Sequence, residues 1–170
     1  MTSGSTLILA VLAVIIICAS VSAASKRPAA AWNYYHFDGR AFVAGPPADE
    51  RPFLAMRDRV IPVVLNSKAG IEAIALPPDN GALAGICYIQ SSGGKLEGGS
   101  SYIPTPGITV TILSGGTVVL RTQTDGSGYF VALLPAGDYR VSSGAFAAEA
   151  TLENGTTTLV PLRAGKRMVD

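Results

Sequence analysis

The sequence is poor in charge, poor in histidine and nearly without cysteine, and each shortage removes a class of function. Charged residues are 15% of the 170 and the net charge is +1, so the chain encodes neither a basic surface for nucleic acid nor an acidic solvating tail. A single histidine, His36, excludes most imidazole metal sites and every mechanism that needs two imidazoles. Of the two cysteines, Cys18 lies in an apolar leader; once that is removed, Cys87 stands alone and no intrachain disulfide forms. Cys87 reads as a small buried hydrophobe in a strand. Low charge beside 48% hydrophobic residues excludes general disorder. What is abundant is Gly, at 19, and Pro, at 11, too many for a helical bundle and ordinary for a turn-rich β protein.

Residues 7–24 form an unbroken apolar or small-residue run. Its core, residues 7–18, is 12 long, the length of a signal-peptide centre and short for a membrane span. Val21-Ser22-Ala23 places small residues ahead of a cleavage site after Ala23. No Lys or Arg precedes the run, and Lys26 and Arg27 follow it. At its full 18 residues it reaches across a thinned bilayer. Residues 1–23 therefore read as a signal peptide or as an uncleaved N-terminal anchor helix. Ile17 before Cys18 argues against lipidation. The expectation is export: periplasmic, cell-surface or secreted, with membrane contact only if the segment is retained.

Residues 24–80 are irregular and Pro-rich, with Trp32-Asn33-Tyr34-Tyr35-His36-Phe37 near the start and Pro46-Pro47, Pro52, Pro62 and Pro77-Pro78 after it. Room remains for a helical turn or two within 51–59 and for short strands at 61–65 and 71–76. The stretch is either a packed extension or a linker. Its many large apolar residues predict docking, with 61–65 or 71–76 as a strand added to the next domain.

From residue 81 to 163 the pattern is β throughout. Ile108, Val110 and Ile112 alternate onto one face, Gly115-Gly116 turns the chain, and 118–123 returns as a hairpin partner. Thr124-Asp125-Gly126-Ser127-Gly128 reads as an Asx-type turn. Tyr129, Val131 and Leu133 share a side. Tyr139 to Ser142 follows, then Phe146, Ala148, Ala150 and Leu152 on one face, and Thr158, Val160 and Leu162 close the set after Asn154-Gly155. With 83–90 in front, these make seven short strands, the signature of an antiparallel sandwich. The expected core is Ile108, Val110, Ile112, Val131, Val141 and Leu162. Residues 164–170 are read as a C-terminal tail, and the Gly-rich insert 91–102 as a functional or a disordered loop.

Three blocks carry a family resemblance: Pro106-Gly107-Ile108-Thr109-Val110-Thr111-Ile112, Thr122-Gln123-Thr124-Asp125-Gly126-Ser127-Gly128-Tyr129-Phe130, and Leu134-Pro135-Ala136-Gly137-Asp138-Tyr139-Arg140-Val141. In this order and spacing they resemble the carboxypeptidase regulatory-like domains. The resemblance covers about half of the chain and implies a seven-stranded prealbumin-like (transthyretin-like) β-sandwich. Such domains serve as accessory, adhesive or scaffold modules, so it is nearly silent on function.

Catalytic constellations are not encoded. The zinc peptidase pair of histidines is missing, no Gly-x-Ser-x-Gly elbow accompanies His36, and no two acids fall at a telling spacing. Asp125 supplies one carboxylate where a calcium site wants several. A Lys–Asn isopeptide bond would need Lys95, in the insert, and Asn154, in a hairpin turn. Asn154-Gly155-Thr156 matches a glycosylation acceptor and reads better as that turn. The chain is therefore expected to be no enzyme and to take no cofactor or metal. Trp32, Tyr34, Tyr35 and Phe37 are the candidate binding surface, either as an exposed platform for sugar rings or a partner protein, or as residues packed on the sandwich. The expected function is an exported, non-catalytic module that binds or scaffolds a protein or a cell-envelope polymer. A structural subunit of a surface assembly, forming homo-oligomers by strand exchange through residues 25–80, is the alternative, and an accessory domain of an exported hydrolase system the second.

Overall fold

The computed structural model describes residues 31–66, 70–92 and 100–168, and among these twelve strands and no helix are found. The leader and its cleavage site lie outside the described residues. The strands are β1 (Asn33–Phe37), β2 (Phe42–Ala44), β3 (Phe53–Met56), β4 (Val63–Leu65), β5 (Asn80–Ser92), β6 (Ser100–Pro104), β7 (Thr109–Ser114), β8 (Thr117–Gln123), β9 (Tyr129–Pro135), β10 (Gly137–Ser143), β11 (Phe146–Leu152) and β12 (Thr157–Met168). The all-β expectation is met.

They form three sheets. The first has the order β2-β1-β3-β4, the central one β12-β5-β6 with β9 also on β5, and the third β11-β10-β7-β8. Strand β5 organises the molecule. Its first half pairs with β9 and its second half with β6, both antiparallel, while β12 runs parallel along its other side. Because successive side chains point to opposite faces, Leu83 and Cys87 enter one core and Ala84 and Ile86 another. The first core, between the central and third sheets, holds Val110, Ile112, Phe130, Val141, Leu152 and Leu162. The second, between the central and first sheets, holds Phe37, Leu54, Ala84, Ile86 and Tyr129. The central and third sheets make the sandwich, and the first sheet covers its outer face.

Several expectations need correction. From Asn80 onward there are eight strands rather than seven, because residues at both ends of the insert pair as an arm: Ser92 faces Ser100 and Tyr88 faces Pro104. The sandwich is not wholly antiparallel, since β5 and β12 are parallel from Ala82↔Thr157 to Ser92↔Met168. That pairing carries β12 past the expected tail boundary at 163, with a bulge between Arg163 and Gly165. The stretch 51–59 forms strand β3 and a turn instead of helix. Among the described residues no strand of the extension joins an edge of the sandwich: Val63–Leu65 pairs with β3 inside the first sheet, and 71–76 contributes one bridge, Val60↔Ala75. The extension docks by its face.

Val131 is also misplaced by the sequence pattern. Both faces of β9 are covered, so Phe130, Ala132 and Leu134 enter the sandwich core while Tyr129 and Val131 face the first sheet. The other expected core residues lie where the alternation puts them: Val110, Ile112 and Val141 are fully buried, Leu162 nearly so, and Ile108 packs at the margin. The β7–β8 turn is set by Gly115 and Gly116 at φ = 55° and 83°, both left-handed as a type I′ turn requires.

Candidate functional site

Strand alternation divides the aromatic stretch between two faces. Phe37 is 1% exposed and lies at the centre of the second core, with ring centroids 4.6 Å from Tyr88, 4.9 Å from Tyr102 and 5.7 Å from Phe42. It takes no part in an exposed surface. Tyr34 meets Phe53 edge-on at 5.7 Å, and the Trp32 ring lies 4.8 Å from the Arg57 guanidinium carbon. Tyr35 lines a cavity of about 130 Å³ with Met56, Arg57 and Thr157. The four candidates are therefore brought together in sequence but not into one platform. His36 donates from Nδ1 to the Gly45 carbonyl at 2.8 Å, a bond that places its proton on that nitrogen and ties β1 to the loop after β2.

The seam between the first sheet and the sandwich is closed by side chains and a few hydrogen bonds. The Tyr129 hydroxyl donates to the Pro52 carbonyl at 3.0 Å and the Tyr102 hydroxyl to the Phe37 carbonyl at 3.1 Å. Burial holds the Tyr129 phenol well above the ordinary tyrosine value, so it stays a donor at any neutral pH. A cleft of about 250 Å³ opens beside this contact, floored by Ile86 and walled by Pro52, Tyr102 and Pro104, with Arg51 at its margin. The Arg51 Nε–H donates to both oxygens of Asp49, at 2.9 and 2.7 Å, and that bond holds the Asp49 carboxyl below the usual carboxylate range.

The other sequence motifs resolve as structure. Asp125 Oδ1 accepts from the amides of Ser127, at 2.8 Å, and Tyr129, at 2.9 Å, the Asx-type arrangement that the motif predicts. Gly128, at φ = 80°, follows because a Cβ there would stand 2.9 Å from Pro104 Cβ. Asn154 sits exposed in its turn and donates to Asp79 at 3.5 Å. Lys95 lies outside the described residues. Cys87 is fully buried, and burial pushes its thiol up to about 12. Among the described residues no group of three His, Cys, Asp or Glu side chains is placed to hold a metal ion. Among them, too, no helix is long and apolar enough to cross a membrane.

One surface was missed by sequence reasoning. Strand β8 is an edge of the third sheet, and its Val118 and Val119 are 39% and 47% exposed. The register slips between Ile112 and Leu113, so Val119 stands without a partner as a bulge. The signal was present in Thr117-Val118-Val119-Leu120, where two adjacent valines break a strict alternation.

No family model matches the chain, and no curated protein matches it. The resemblance to carboxypeptidase regulatory-like domains therefore rests on its three motifs and on the sandwich. Among solved structures the chain is similar to GBS52, the minor pilin of the Gram-positive pathogen Streptococcus agalactiae, at a TM-score of 0.41 and 13% identity. The match covers 76% of this chain and 66% of the pilin chain, just under two thirds of the pilin's length. An overlap of this size is a likeness in β build and says nothing about what this chain binds or assembles with.

Proposed function

We propose that this is an exported, non-catalytic β-sandwich module of the carboxypeptidase regulatory-like type that works by contact with another protein. The observation that carries the reading is the β8 edge. Isolated exposed aliphatics are ordinary, but two neighbouring valines on a sheet edge, at a bulge that interrupts the ladder, form a knob suited to side-chain contact rather than to strand addition. Only Arg121 brings charge to the strand. Export is supported by the apolar run at 7–18 with Val21-Ser22-Ala23 behind it. A photo-crosslinking side chain at position 119, installed in the exporting host, is expected to yield a discrete protein adduct. The same side chain at Glu149, exposed on β11, is expected to yield none. Equal labelling at both positions, or none at 119, refutes the reading.

A second reading, a structural subunit of a surface assembly, is favoured by a separate observation. Among the described residues strands β1 to β4 pair only with one another, so residues 33–65 form a unit able to serve a neighbouring copy as well as its own chain.

A further inference from the structure

Two non-glycine residues among those described have left-handed backbones, and both stand where the first sheet joins the rest of the molecule. They are Asp79, at φ = 62°, and Arg59, at φ = 60°. Asp79 lies in the turn that leads into β5, where the Asn80 amide donates to the Pro77 carbonyl at 3.3 Å. Proline at the second position of that turn and a left-handed residue at the third are the marks of a type II turn, which favours glycine at the third. Aspartate there holds the turn closed against its backbone preference. Arg59 lies instead in the seam. Its amide donates to the Gly155 carbonyl at 2.7 Å, and its own carbonyl accepts from the Leu76 amide at 2.9 Å.

The unit ahead of the turn makes all the strand ladders of its described residues within itself. Residues 74–76 are tied back to 59–61 by the Ile61 and Leu76 amides and by the Val60↔Ala75 bridge. No strand ladder among the described residues joins this unit to the central sheet. What joins them is Phe37 and Leu54 against Ala84, Ile86 and Tyr129, the two tyrosine hydroxyl bonds, and the Arg59–Gly155 bond. All of these contacts re-form unchanged if the unit docks on the central sheet of a second copy. The turn at 77–80 is the part that opens.

We propose that residues 31–76 exchange as a unit between two copies of this chain, with the strained turn at 77–80 as the hinge. The proposal rests on the assembly reading above and replaces exchange of one strand by exchange of a whole sheet. A short hinge under strain invites exchange, because the dimer keeps the interface between the first and central sheets, gives up only the long, exposed Asn154–Asp79 bond at the hinge, and releases the hinge strain twice. Arg59 serves as the internal control, since its strain is present in both forms.

The test uses the native chain refolded at high protein concentration and sized by light scattering, where a monomer–dimer equilibrium is expected. Asp79→Gly raises the dimer dissociation constant on the order of twentyfold, about fivefold for each hinge, the long and exposed bond from Asn154 that it also removes being too weak to offset the relieved strain. Arg59→Gly leaves it within about twofold, because the relieved strain is common to monomer and dimer. In a dimer of one isotope-labelled and one unlabelled copy, methyl contacts join Leu54 of one copy to Ile86 of the other. A chain that stays monomeric at every concentration overturns the proposal, as do equal shifts from the two glycine variants. A dimer without the Leu54–Ile86 contact between copies also overturns it, and leaves assembly through another surface standing.

Discussion

Truncating Phe37 to alanine tests whether the first sheet belongs to the core or merely rests on it. The ring is 1% exposed, and two of its three aromatic neighbours, Tyr88 on β5 and Tyr102 on β6, belong to the central sheet. It therefore pins one layer to the next. Removing a buried phenylalanine side chain costs about 3–5 kcal/mol, the transfer term plus the cavity left behind. In a chain of this length each kcal/mol moves the melting midpoint by roughly 2–4 °C, so a fall of about 10–15 °C is expected. Phe37→Leu keeps most of the volume and forfeits the ring–ring contacts, so its cost is about 1–2 kcal/mol. Both are read by calorimetry, with limited proteolysis reporting whether cleavage begins between residues 40 and 50. A Phe37→Ala protein that melts within about 1 °C of wild type and resists protease equally would refute the packing. It would return Phe37, with Trp32, Tyr34 and Tyr35, to the role of an exposed platform.

Other outcomes follow from the two cores. Val110→Ala, at a fully buried position, is expected to cost about 1–3 kcal/mol in a urea titration, and the exposed Thr109→Ala under about 0.5 kcal/mol, with equal slopes. Gly85→Ala drives a methyl into the Val160 carbonyl oxygen and the Phe130 ring, parting β5 from β12; a loss of about 3 kcal/mol, or no folded protein, is expected on circular dichroism. For Cys87 the sign is set by burial, which favours the neutral thiol in the folded state and pushes its titration up to about 12. Its contribution is thus fully present below the ordinary thiol value near 8.5 and is lost as pH rises from there toward 12. Denaturation midpoints at pH 8, 10 and 11.5 should fall in that order, and iodoacetamide at pH 8 should label Cys87 no faster than the chain unfolds.

Where a strand has one wet face, the sequence shows it openly. Ile108, Val110 and Ile112 alternate with threonines, and Asp125 with Gly128 announces the turn that the structure contains. Legibility fails where both faces are covered. In β9 the sets Tyr129, Val131 and Phe130, Ala132 are both apolar, so alternation does not say which set faces the sandwich core. The unbroken run from Ala82 to Cys87 in β5 is the trace of that double burial. Pairing partners are another matter. Nothing local in 157–168 marks it for a parallel place beside β5, and the Ser- and Gly-rich ends of the insert carry no strand signal although they pair as one. Among the candidate site residues, the count of aromatics was legible and their division between faces was not, because Pro46, Pro47 and Pro52 hide the short strands that flank β1.

The parallel bond between β5 and β12 sets the order in which the molecule is able to form. Ala82 meets Thr157 and Leu162 meets Cys87, contacts that close loops of some seventy-five residues, whereas β1 to β4 find one another over short spans. High separation of this kind slows folding, because loop-closure entropy is lost before the contact returns anything. One side of β5 thus stays unpaired until residues 157–168 arrive. For a chain exported as proposed above, that delay would be useful: the central sheet would not lock before the strand at 157–168 had followed it across the membrane.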